Sequence, residues 1–100
     1  MEITTHYSND RINRERIIKA IGEGHHIASV TIDRGDPRGP EMHVLTDTGI
    51  ILIYNANSHI LITKLIARPS QMKKFFAGGR VPNRLWNLGN VHVANEYNFA

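Results

Sequence analysis

The sequence predicts an α+β domain: an N-terminal helix or helix pair packed on a twisted antiparallel sheet of about four strands, with C-terminal helices. Three observations predict it. From His26 to Ala67, apolar residues alternate or run in short blocks, and Gly-, Pro- and Asn-bearing turns separate them. Ahead of this region, Ser8-Asn9-Asp10 supplies helix-capping side chains before Arg11 to Gly22. Behind it, Arg68-Pro69-Ser70 stops the last strand and opens a helical stretch. A length of 100 residues suits a single domain spanning 1–100.

In the N-terminal helical region, Ile17, Ile18, Ala20 and Ile21 fall in one arc at helical spacing, whereas Ile12 sits nearly opposite. A break near Asn13 to Glu15, giving two short helical pieces, accommodates both sets. Gly22 and Gly24 end the region. His26 to Asp33 alternates as a strand, and Asp33 to Pro40 carries turn chemistry throughout. Glu41 to Thr46, Ile50 to Asn55 and His59 to Ala67 read as three further strands joined by short turns, hence an antiparallel meander. The last two are apolar on both faces, which predicts central positions with cover on each side. A helix is expected over Gln71 to Phe76 and another from Asn83 to about Asn90, with Pro82 at its start. Val91 to Ala100 reads either as strand or as disordered.

Cysteine is absent, which excludes disulfides and thiolate metal sites and fits a reducing compartment such as the cytoplasm. No secretory signal is visible, and the longest apolar run, Ile50 to Tyr54, is too short to span a bilayer. The formal charge of +3 is unevenly spread. Thr48 to Asn95 holds six basic residues and no Asp or Glu, while the first 47 residues hold six basic and eight acidic. A one-signed C-terminal half points to an anionic partner, above all RNA, or else to a solvated basic face. On this reading Lys73, Lys74, Arg80 and Arg84, with Arg14, attract RNA.

The densest polar cluster, His6 to Arg16, places one imidazole close in sequence to Arg11, Arg14 and Arg16. Metal-independent RNA cleavage needs a base for the 2′-hydroxyl, an acid for the leaving oxygen and cations for the phosphoryl charge. Histidine serves the first two near neutral pH, and arginine's planar fork serves the third. Lys64 shares its strand face with Ile60, Ile62 and Ile66, so it either snorkels to an edge, meets an acid such as Asp10, or holds a phosphate. Thr63 points the other way with Leu61 and Leu65. His43 inside its strand reads as a packing or hydrogen-bonding residue, and His25, His26 and His59 sit at strand ends. No metal-binding spacing, cofactor motif or nucleotide loop is visible.

These residues carry a resemblance. The stretch from Ile3-Thr4-Thr5-His6 through Arg11, Arg14, Arg16 and Ile17 to Gly22 resembles the pattern "I-T-x-H-A-x-x-R-x-x-x-R-x-I" plus helix and glycine. That pattern belongs to a group within the RelE/barnase/EndoU-like ribonuclease superfamily. His43 to Asn55 is similar to that group's hairpin, and Ile60-Leu61-Ile62-Thr63 to its final strand. The match covers about residues 3–67. Tyr7 stands where the pattern has alanine, and Arg11 comes one position late. The resemblance implies a toxin-like endoribonuclease with its site on the sheet's open face. It matches His6 to the helix histidine, Arg11 to the first arginine, Arg14 or Arg16 to the second, and Thr63 to the final-strand threonine. Lys64 joins this catalytic set from the strand pattern. An acidic, antitoxin-like inhibitor is expected by analogy. The alternative expectation is a non-catalytic phage or mobile-element module that binds protein or RNA, with Phe75, Phe76 and Trp86 as a partner or homodimer face.

Overall fold

A computed structural model of the chain describes residues 14–99. Its elements are a helix at 14–21 (α1), strands His26–Asp33 (β1), Pro40–Thr46 (β2), Ile50–Asn55 (β3) and Leu61–Ile66 (β4), a short helix Pro69–Met72 (α2), two 3₁₀ turns at Lys73–Phe75 and Ala77–Gly79, and a long helix Asn83–Phe99 (α3). The fold is the α+β arrangement expected from the sequence. The four strands pair antiparallel in chain order, β1-β2-β3-β4.

β3 explains why the sheet is covered on both sides. Its residues Ile50, Ile51, Leu52 and Ile53 are all buried, and successive side chains of a strand point to opposite faces. Ile50 and Leu52 pack with Val44, Ile66 and the α1 residues Ile17 and Ile18. Ile51 and Ile53 pack with Leu45, Ala67, Met72 and the α3 residue Leu85. Each such side chain taken from water contributes about 1.5–3 kcal/mol, so a strand apolar on both faces demands helices on both.

β4 departs from the expectation. Among the described residues it pairs with β3 alone and forms one edge of the sheet. The apolar run at its start does not mark a central strand: Ile60, Leu61 and Ile62 are 66%, 40% and 52% exposed. β4 also starts later than expected, at Leu61, because His59 takes a left-handed φ of 61° inside the preceding turn. There the Asn55 side chain accepts the Asn57 and Ser58 N–H groups. In α1, Ile17 and Ile18 are buried, but Ala20 and Ile21 are exposed, so the predicted apolar arc is only half used. The other part of the predicted helical region, with Ile12, lies outside the described residues.

The C-terminal part also differs. The helix expected over Gln71 to Phe76 closes after one turn and tightens into 3₁₀ geometry. Pro69 does occupy the first turn, and the Gln71 side chain accepts the Arg68 N–H at 2.8 Å. The tail is helical, since α3 runs on through Val91 to Phe99. Leu85, Leu88, Gly89 and His92 recur at helical spacing and face the sheet, so the stripe continues through a polar residue that apolar periodicity does not register. Gly89 fits against the Pro69 ring, where a Cβ would come within 2.9 Å.

The β2–β3 turn ties α1 to the sheet. Thr48 Oγ1 lies 3.0 Å from the Gly22 carbonyl and 2.9 Å from that of Glu23, so its hydroxyl donates there. Thr46 Oγ1 then donates to Thr48 Oγ1 at 3.1 Å and accepts the Ile50 N–H. Asp47 and His25 exchange backbone and side-chain bonds beside this relay. The end of α1 is thereby fixed over the sheet.

Gly49 closes the same turn with φ 81°, and His92 Nε2 donates to the Thr48 carbonyl at 2.9 Å. A Cβ at Gly49 would lie 2.9 Å from His92 Nε2. Gly49→Ala is therefore expected to cost about 1–3 kcal/mol from backbone strain alone, read as a lower urea midpoint. An unchanged midpoint would mean that the turn relaxes freely.

Candidate functional site: a helix–strand cleft and a buried ionic network

Two polar sites lie on opposite faces of the sheet. The first is a cleft of about 740 Å³ between α1 and β4, lined by Arg14, Glu15, Lys19, Glu23, Thr63 and Lys64, with Ile18 and Ile62 as its apolar walls. Among the described residues, α1 spans two turns over the Val44–Leu52–Ile66 side of the sheet and β4 has no further strand beside it, which leaves the cleft between them. Lys64 Nζ donates to Glu23 Oε2 at 2.8 Å, with both side chains about two-fifths exposed. The acid that meets Lys64 is thus Glu23, presented by the loop that Thr48 anchors.

The cleft gathers part of the set picked from sequence. Arg14 and Lys64 line it together, and Thr63 borders it with its side chain turned to the opposite face, beside Ile53 and Leu65. Arg16 is exposed on α1 and is not among the lining residues. His6 and Arg11 lie outside the described residues. Lys73 and Lys74 sit on the first 3₁₀ turn, Arg80 follows the second, and Arg84 is in the first turn of α3. Their elements pack against the other face of the sheet. Lys73 Nζ lies 5.8 Å from the centroid of the Trp86 ring. Phe75 and Phe76 pack on the core, and Trp86 is 38% exposed. His25, His26 and His59 are exposed.

The second site centres on β2. Glu41 and His43 are two residues apart, so both project to the face that carries Leu45. Each is only 2% exposed. Glu41 Oε1 accepts Arg34 Nε at 3.2 Å, and Oε2 accepts Arg38 Nη2 at 2.7 Å. His43 Nε2 lies 3.2 Å from Glu41 Oε1, and His43 Nδ1 lies 2.7 Å from Lys74 Nζ. The loop from Asp33 to Pro40 brings both arginines back over Glu41. It is closed by the Arg34 N–H on the Gly39 carbonyl and by Asp33 Oδ1 on the Gly35 N–H.

The electrostatics of this network are one-sided. The Arg38 guanidinium, then His43, hold the Glu41 carboxyl well below the usual range, at about 2. Burial pushes His43 down, opposed by its bond to Glu41, and the Lys74 and Arg34 charges lower it further. Burial and Arg34 likewise lower Lys74. An ionised Glu41 can only accept, so His43 carries its proton on Nε2 and offers Nδ1 as an acceptor to the Lys74 ammonium. Sequence reasoning saw His43 as a hydrogen-bonding strand residue and missed Glu41, Arg34 and Arg38. The available signal was Glu41 alternating with His43 and Leu45 on a core-facing edge of β2, where an unpaired carboxylate would be untenable.

Among the described residues, no group of three His, Asp or Glu side chains gathers as a metal site. No described helix is long and apolar enough to cross a membrane.

The network sets a pH response. His43 has a folded pKa below 6.5, so the unfolded chain binds its proton first and stability is lost as pH falls through 6.5. Glu41 adds stability that is present above 4.5 and lost as pH falls toward about 2. Between about pH 7.5 and 5.5, the urea midpoint should fall more steeply for the native chain than for His43→Gln, whose side chain does not titrate. Parallel curves would contradict the buried neutral imidazole.

No family model, curated protein or solved structure matches the chain, so its chemistry rests on these side chains.

Proposed function

We propose that this chain acts on RNA, cleaving it without a metal ion by internal transesterification at the cleft between α1 and β4. The observation that carries this reading is the meeting of Arg14 and Lys19 with Lys64, far apart in sequence, in one cleft. Three cations (Arg14, Lys19, Lys64) face two carboxylates (Glu15, Glu23) there, a surplus of one positive charge suited to one phosphodiester.

In this reaction the 2′-hydroxyl gives its proton to a base as its oxygen attacks phosphorus, and the bond to the 5′-oxygen breaks as that oxygen takes a proton from an acid. The products are a 2′,3′-cyclic phosphate and a free 5′-hydroxyl. Arg14 and Lys64 take up the developing charge on the phosphoryl oxygens. His6 transfers a proton as acid or base, and Arg11 and Arg16 add cationic charge, as the resemblance implies. Lys73, Lys74, Arg80 and Arg84 attract the strand at long range, so binding weakens with salt. Such an activity inside a cell calls for an acidic inhibitor protein.

A second reading, a non-catalytic binding module that pairs with a protein or with itself, is favoured by the β4 edge, unpaired among the described residues, and by the exposed Ile60, Leu61 and Ile62 at its start.

The test is incubation of purified protein with labelled RNA oligonucleotides in EDTA. Products should end in 2′,3′-cyclic phosphate, and folded His6→Ala should lose about 10²–10⁴-fold in rate. Lys64→Met should lose about 10²-fold. Undiminished cleavage by either folded variant would refute its role. Absence of cleavage, with a dimer in light scattering that Ile62→Lys dissociates, would favour the second reading.

A further inference from the structure

We infer that Arg34, Arg38 and Lys74 form a binding site for a phosphate monoester dianion, held in shape from beneath by Glu41 and His43. The site is separate from the cleft and does not depend on RNA cleavage there.

The layering of charge is the main argument. Glu41 and His43 are both 2% exposed. The Arg34 and Arg38 side chains above them are 40% and 62% exposed, and Lys74 is exposed as well. Solvent therefore meets cations, while the carboxylate that balances one of them lies underneath. The five groups, linked through Glu41 and His43, carry Arg34⁺, Arg38⁺, Lys74⁺ and Glu41⁻ with a neutral His43, a surplus of two positive charges. A phosphate monoester carries close to two negative charges near neutral pH. The two loop acids outside this network are Asp33, which spends Oδ1 on the Gly35 N–H, and Asp36, exposed beyond it.

Donor supply agrees with charge. Glu41 engages Arg34 through Nε and Arg38 through Nη2. Both Nη groups of Arg34, and Nε and Nη1 of Arg38, have no protein partner among the described residues. Lys74 directs one N–H to His43 Nδ1 and lies 5.4 Å from the Phe75 ring centroid, with no further hydrogen-bond partner among the described residues. Guanidinium forks match phosphate oxygens, and forks already anchored at one edge lose less freedom on binding. A structural ion cluster alone needs no such surplus: one arginine would neutralise Glu41.

The ligand is a free phosphomonoester or the terminal phosphate of a nucleic-acid strand, and the test separates them. Isotope-labelled protein is titrated at fixed ionic strength with inorganic phosphate, with an oligonucleotide bearing a 5′-phosphate, and with the same oligonucleotide lacking it. Phosphate should shift the Arg34 and Arg38 Nε–H signals saturably. If the source is a strand, the 5′-phosphate should tighten binding at least about tenfold, one phosphate contact pair's worth. If it is a small ester, both oligonucleotides should bind equally while phosphate still saturates these signals. Lys74→Met, which leaves the Glu41 pairs intact, should abolish the saturable shift. Arg38→Gln, at the more exposed of the two arginines, provides the same reading if Lys74→Met does not fold. Phosphate shifts that stay linear, spread over all basic residues or survive both variants would overturn the site. Cleft amides report RNA binding separately, so failure here and failure of the cleft are distinguishable.

Discussion

The arrangement depends on one strand being apolar on both faces. β3 cannot leave either face to water, so α1 must cover one and α2 with α3 the other. The cleft follows from the unequal way this is done. One face is closed by a long helix with Leu85, Leu88 and His92 along its buried stripe. The other is covered, among the described residues, by a two-turn helix that buries only Ile17 and Ile18. The shortfall of cover beside β4 is the cleft.

The turn from Thr46 to Gly49 links the two sides. Its hydroxyl relay holds the end of α1, and its Thr48 carbonyl receives His92 from α3. Glu23, and through it Lys64, are positioned by that relay, so cleft geometry is coupled to core packing on the far side. The second site has a different origin: a carboxylate and an imidazole on the core-facing side of β2, made tolerable by three cations from a loop and a 3₁₀ turn. Basic groups on both faces give meaning to the charge bias visible in composition.

The strands were legible because turn chemistry and period-two alternation agree; β1 and β3 have the bounds their sequences suggest. The edge position of β4 was not legible, since Ile60-Leu61-Ile62 reads like a buried run until its neighbours are known. α3 was read too short because His92, not an apolar residue, continues its stripe. Of the cleft, Thr63 and Lys64 were picked by resemblance and strand pattern, but Lys19 and Glu23 were not. Glu41 escaped notice because a carboxylate in a strand normally faces water, and its partners Arg34 and Arg38 come from a loop whose course the sequence does not encode locally.

The most direct test of the cleft as the RNA site is amide shift mapping with an RNA strand made uncleavable by 2′-deoxy substitution. The account predicts saturable, salt-sensitive shifts at Arg14, Lys19, Thr63 and Lys64. A strand that binds while these amides stay fixed, with shifts confined to the face that carries Lys73 and Arg84, would contradict it.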